Sequence, residues 1–184
     1  MISLKILITG LGVTAKSSFR KKLASQYQRV TQKIINLDLD YDRNKLPKEF
    51  ASDTIYILED VHGPTPKAVI PLSEFDQVYY LLPSWYTHLL FWLSRMRIWF
   101  ENGRFAWDPD IGEKGAWAGS GKPHDLANLK PIFKYFWPRY KKRQNVIKED
   151  LAVLKSSGIA TIIITPQKRW GKISFYGHEM KRSS

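Results

Sequence analysis

Short apolar runs that stop at Gly, Pro or Asp recur along the chain and alternate with longer stretches of helical character. Five runs have strand length and are rich in Ile, Val, Leu or Tyr: Ile2–Thr9, Lys33–Asp40, Thr54–Asp60, Asp76–Leu82 and Ala160–Thr165. Lys16–Gln28 and Ser84–Asn102 read as helices after the first and fourth runs. A further helical segment spans Leu129–Ser157, interrupted by Pro131 and Pro138. Leu89, Trp92 or Leu93, Met96 and Trp99 or Phe100 recur at helical spacing, which predicts a buried stripe on the second helix. Strands alternating with helices predict an α/β domain: a mostly parallel five-stranded sheet with helices on both faces.

Gly103–Asn128 breaks the pattern, with five glycines, two prolines and little periodicity. A loop of this length in one domain is expected to be a lid or an insert. Lys168–Ser184 has room for one more strand and then a basic extension. The 184 residues show no repeat and no change of composition that would mark a second domain.

The junction of the first strand and first helix reads GLGVTAKSS, Gly10 to Ser18. A loop in this position offers converging backbone N–H groups and the positive end of a helix dipole, which together bind phosphate. Gly10, Lys16 and Ser17 fall in the register of G-x-x-x-x-G-K-[ST], with Gly12 as a second flexible point. In such a loop the lysine reaches the β- and γ-phosphates and the hydroxyl ligates Mg²⁺. Leu11, Val13, Thr14 and Ser18 complete the candidate nucleotide site. Ala15 stands where the motif has its last glycine. If φ is positive there, its Cβ costs roughly 1–2 kcal/mol; in the first turn of the helix it costs little.

Acidic residues close the second and third strands, in NLDLDYDRN and YILEDVHG. In a doubly wound sheet ligands sit beyond the carboxyl ends of the strands. While the chain stays extended, alternation puts Asp38, Asp40 and Asp42 on one side. Asp38 and Glu59 are the candidates to hold Mg²⁺, directly or through water, or to take a proton from an attacking hydroxyl. His62 follows as a polar contact.

The order of these motifs, from about Ile2 to Pro166, resembles the P-loop nucleoside and metabolite kinases, particularly the uridine kinase-like branch. The resemblance implies a three-layer P-loop NTPase fold with a lid and an ATP-dependent phosphotransferase acting on a hydroxyl of a small acceptor such as a nucleoside, with Mg²⁺. It makes Asp38 the first choice for the base and metal-associated acid and Asp40 the second, beside Tyr41. It puts Glu59 at the family's acidic strand end. Arg95, Arg97 and Arg104 then resemble lid arginines that contact phosphates. Asp40 in place of phenylalanine, Asn102 in place of an arginine, Ala15 and the insert at Gly103–Asn128 depart from the family pattern.

Charge adds a competing class. The chain carries 29 basic and 17 acidic residues, a net charge of +12, which favours anionic partners. Aromatics interleaved with basic residues in KYFWPRYKKRQ have the composition of a base-stacking surface, although Trp and Phe at helical spacing more often form a core. A nucleic-acid-binding NTPase-like protein and a polynucleotide 5′-kinase are therefore the alternatives. The absence of cysteine, the lack of a signal-peptide pattern and the two arginines in the apolar stretch Trp85–Phe100 lead to an expectation of a cytoplasmic protein without a transmembrane segment. The pattern gives no sign of oligomeric state.

Overall fold

The computed structural model describes residues 3–29, 33–39, 42–103, 121–169 and 172–180, with the side chains of 130–136 and 139 left undescribed. Among the described residues, six strands and three α-helices follow one another as β1 (Leu4–Gly10), α1 (Lys16–Tyr27), β2 (Ile34–Asp38), β3 (Ile55–Glu59), β4 (Gln77–Leu81), α2 (Trp85–Asn102), α3 (Leu129–Ser157), β5 (Ala160–Arg169) and β6 (Lys172–Glu179). The sheet order is β2-β3-β1-β4-β5-β6, parallel except for the β5–β6 pair. The architecture is thus α/β with a mostly parallel sheet. It has six strands rather than five, because the segment after Lys168 turns back along β5.

Alternation along the strands sorts the core into two sides. Ile6, Ile8, Ile57, Leu81 and Ile164 meet Phe19, Leu23 and Ala24 of α1. Leu7, Leu58, Val78, Tyr80 and Ile163 meet Leu154 of α3 on the opposite face. Among the described residues no α-helix joins β2 to β3 or β3 to β4, only a 3-10 turn in each; Leu46, Phe50, Val69, Ile70, Leu72 and Phe75 from those connections cover the second face beside α3. The expectation of helices on both faces holds through α1 and α3, with loops filling the remainder.

α3 runs unbroken through Pro138 over 29 residues, not as the interrupted segment expected from its prolines. Pro131 falls in the first turn, where a backbone N–H has no helical partner to lose; Pro138 forgoes one bond inside the helix. Of the alternatives on the expected α2 stripe, Trp92 and Trp99 are buried and Leu93 is exposed. β2 ends at Asp38, two residues before the expected end, and β5 continues to Arg169 because β6 supplies it with a partner. No described helix is long and apolar enough to cross a membrane.

The connections set where a ligand can sit. From β1 the chain crosses α1 towards β2, and from β4 it crosses α2 and α3 towards β5, in the opposite direction. The crevice between the carboxyl ends of β1 and β4 is the topological switch point.

One buried polar link fastens α3 to the sheet. The Tyr80 hydroxyl donates to Asp150 Oδ2 at 2.8 Å. Burial raises the Asp150 carboxyl above its ordinary pKa, with the Tyr80 hydrogen bond opposing that shift. Tyr80→Phe leaves a buried acceptor short of its donor and is expected to cost about 1–3 kcal/mol in urea unfolding, with Tyr79→Phe, half-buried against Phe19, as the mild control.

Candidate functional site

The loop after β1 folds around its own lysine. Lys16 is only 6% exposed, and its Nζ donates to Leu11 O at 2.9 Å and Gly10 O at 3.4 Å. Thr14, also buried, donates its hydroxyl to Leu11 O at 2.9 Å. Lys16 opens α1, so the ammonium lies where the first backbone N–H groups of the helix and its dipole are positive.

The backbone is held in an unusual shape to achieve this. φ is +129° at Gly10, +60° at Val13 and +64° at Ala15. A β-branched residue such as Val13 in the left-handed region is a true outlier. Its side chain packs against the Trp92 and Trp99 cluster, and that burial offsets the strain. Ala15 is the residue before α1, left-handed with no side-chain capping bond, so of its two expected costs the larger applies. Gly10 has no freedom to be anything else: a Cβ there would sit 2.6 Å from Leu81 O of β4.

Beside the lysine lies a polar cluster on the α1 face. Ser17 Oγ donates to Glu59 Oε1 at 3.1 Å. Arg20, one turn on, donates through Nε to Glu59 Oε2 at 3.0 Å and through Nη1 to Asn36 Oδ1 at 2.8 Å, and its Nη2 lies 3.9 Å from Asp38 Oδ2. Asp38 and Glu59 are direct neighbours across the parallel β2–β3 pair. Both carboxylates are buried, and the Arg20 guanidinium offsets their mutual repulsion.

A third element closes the loop from the other side. His88 of α2 is 3% exposed, and its Nε2 lies 2.9 Å from Gly12 O and 3.1 Å from the Trp92 indole nitrogen. Burial pushes the imidazole down to about 4; the Gly12 contact pulls it up, and the charges of Arg143 and Lys16 push it further down. Arg143 of α3 therefore lies close enough to sense this end of the loop.

The expected residues fare differently. Lys16, Ser17, Asp38 and Glu59 come together around the start of α1, while Ser18 is exposed on it. The alternation expected to carry Asp38, Asp40 and Asp42 on one side stops at Asp38. Asp42 folds back, accepts from the Asp38 N–H at 3.3 Å and pairs with Lys45 at 2.7 Å. Asp40, Tyr41 and Arg104 lie outside the described residues, as does most of the expected lid. Arg97 is 78% exposed and bonded to Glu101 on its own helix, and Arg95 lies over Trp99; neither side chain is directed to the loop by these contacts. His62 is exposed, and its backbone N–H is held by Asp60, whose buried carboxylate also takes the Val69 N–H.

Arg20, Asn36, His88 and Arg143 were not singled out from the sequence. Two of them carried a signal: Arg20 is one helical turn from Lys16 and Ser17, and Asn36 is two strand positions from Asp38. Among the described residues, no group of three or more His, Cys, Asp or Glu side chains is arranged to hold a metal. Comparison of the sequence with protein-family models and with curated proteins finds no match.

Two outcomes follow from this geometry. Ala15→Gly relieves a left-handed alanine and is expected to raise unfolding stability by about 1 kcal/mol, less whatever the added glycine entropy removes. His88 has a folded pKa of about 4 against 6.5 when unfolded, so the unfolded chain binds more protons between those values. Its contribution is full above pH 6.5 and is lost as pH falls to 4, on the order of 3 kcal/mol. Asp150 acts in the opposite sense over the acid range, so the difference between wild type and His88→Gln isolates the histidine. That difference should grow with pH from 4 to 6.5 and then level off.

Proposed function

We propose that the chain binds a nucleoside triphosphate at Gly10–Ser18 and transfers its terminal phosphoryl group to a hydroxyl, as a P-loop kinase resembling the uridine kinase-like branch. The observation that carries this reading is the buried Lys16, gripped by loop carbonyls at a helix N-terminus, with Ser17 bonded to a buried strand-end acid. A bound phosphate competes for the ammonium by offering it charge where the carbonyls offer only dipoles.

The oxygen pair of Ser17 and Glu59 suits Mg²⁺, which is commonly held by one or two protein oxygens together with water and substrate phosphates. When bound, the ion neutralises charge on the phosphates. Arg20 holds the other Glu59 oxygen and keeps that carboxylate oriented. Asp38, beside Glu59, takes the proton from the acceptor hydroxyl as the new P–O bond forms and the nucleoside diphosphate leaves.

Calorimetry with Mg·ATP is the direct test. Wild type is expected to bind only with Mg²⁺ present, and Lys16→Met to lose at least about tenfold in affinity. On an acceptor found by screening nucleosides, sugars and 5′-hydroxyl oligonucleotides, Asp38→Asn should lower turnover about 100-fold with little change in ATP affinity. Absence of Mg²⁺-dependent binding by the wild type overturns the reading.

A further inference from the structure

The aromatics of the second and third helices do not all enter the core. Trp92 and Trp99 are buried, but Trp85 is 58% exposed, Tyr86 56% and Trp137 48%. The segments that carry these three exposed rings meet where α3 passes the start of α2. The Tyr140 hydroxyl donates to Trp85 O at 3.1 Å, which ties α3 to the first turn of α2. Trp137 and Tyr140 lie stacked, with ring centres 5.8 Å apart and planes 18° from parallel. Trp85 and Tyr86 meet edge to face at 5.9 Å.

Cations are interleaved with the rings. Lys141 lies over Trp137 at 5.6 Å and Arg143 over Tyr140 at 5.2 Å. The stretch Tyr135–Lys148 holds five basic residues and no acidic one. Lys141 and Lys142 are exposed, so their charges are available to a partner at little desolvation cost. The surface also runs into the phosphate loop: Tyr140 packs on His88 with ring centres 5.6 Å apart, and His88 touches Gly12 O.

We propose that this surface binds single-stranded nucleic acid, the bases stacking on Trp85, Tyr86 and Trp137 and the backbone phosphates meeting Lys141, Lys142 and Arg143, with one end of the strand directed to the loop at Gly10–Ser18. Every base has a π-face, so such a platform binds strands with little regard to sequence. The basic excess of the whole chain supplies the complementary charge. Membrane-surface patches also set aromatics beside Lys and Arg; the near-parallel Trp137–Tyr140 pair with cations over the rings matches alternating bases and phosphates. The direction of the strand rests on the phosphotransferase reading, and makes a 5′-hydroxyl terminus the phosphoryl acceptor; the stacking does not depend on it.

The test is fluorescence anisotropy of the full chain with a labelled fifteen-nucleotide oligothymidylate, alongside calorimetry with Mg·ATP. The wild type should bind the oligomer, with log affinity falling against log salt at a slope of about −2, for some three phosphates contacted. Trp85→Ala with Trp137→Ala should weaken binding tenfold or more while leaving the melting temperature and ATP affinity unchanged, and Trp137→Phe alone should retain most of it. Lys16→Met should bind the oligomer within about twofold of wild type.

No oligomer binding, or an aromatic double variant within twofold of wild type, overturns the proposal. So does an equal loss of ATP affinity in that variant, which would make the rings a pocket for the nucleotide's own base. Binding to anionic phosphatidylglycerol vesicles with none to the oligomer reassigns the surface to a membrane and also overturns it. Oligomer binding that survives in a protein with no affinity for Mg·ATP upholds the stacking surface and removes only the phosphotransferase reading.

Discussion

The approach of β1 to β4 at Gly10 is the constraint on which the rest of the site depends. The two backbones come so close that a methyl group would strike Leu81 O at 2.6 Å. The pairing of Gly10 with Leu81 extends the parallel ladder to the end of both strands and forces the chain to turn at once. From that point it must reach the start of α1 within five residues, and it does so through left-handed Val13 and Ala15. The tight path brings the carbonyls of Gly10 and Leu11 onto Lys16 and turns the Gly12 carbonyl outward to His88. A wider separation of β1 and β4 would leave the lysine with no cradle.

Three elements hold the loop in this state, each by a different force. α1 does so through the polar bonds of Ser17 and Arg20 to the ends of β2 and β3. α2 does so by apolar burial, with Val13 against Trp92 and Trp99, and by one contact from His88. α3 acts at longer range, through the charge of Arg143 and the ring of Tyr140 against His88, with its far end moored in the core by Leu154 and the Tyr80–Asp150 bond. Lys168 of β5 adds a hydrogen bond to Ser94 and a contact over Phe91, which fixes α2 to the sheet beyond the loop.

The parts of this arrangement that were legible in the sequence are those set by local rules. Apolar runs and the breakers between them located β1 to β5, and the Gly-x-x-x-x-x-Lys-Ser spacing located the loop, because period and turn chemistry act over few residues. β2 ends before the limit its pattern predicts, because the apolar-polar alternation continues past Asp38 while the hydrogen bond from the Asp42 N–H to Asp38 O turns the chain away. Of the expected lid arginines Arg104 lies outside the described residues, and for Arg95 and Arg97 the order along the chain does not tell which side of α2 faces the loop. Arg97 lies one helical turn from Glu101, and that local pair is satisfied in solvent. His88 and Arg143 were hidden for a related reason. Packing across more than seventy residues of sequence brings His88 to Gly12, and Arg143 lies over Tyr140, whose ring meets His88; no short motif exists for either.

The antiparallel β6 has a bearing on how the molecule behaves at high concentration. A wholly parallel sheet keeps both faces covered, whereas β6 runs along the margin with most of its residues exposed. Its outer edge offers backbone groups that could extend the sheet into a neighbour, a hazard for any open margin. Lys172, His178 and Glu179 sit on that strand. Pairing one β6 with another in antiparallel fashion sets Lys172 of each copy opposite Glu179 of the other, and opposite charges facing across strands attract. The charges on this margin therefore give no deterrent to antiparallel self-pairing, and crowding of the chain should favour copies joined edge to edge through β6.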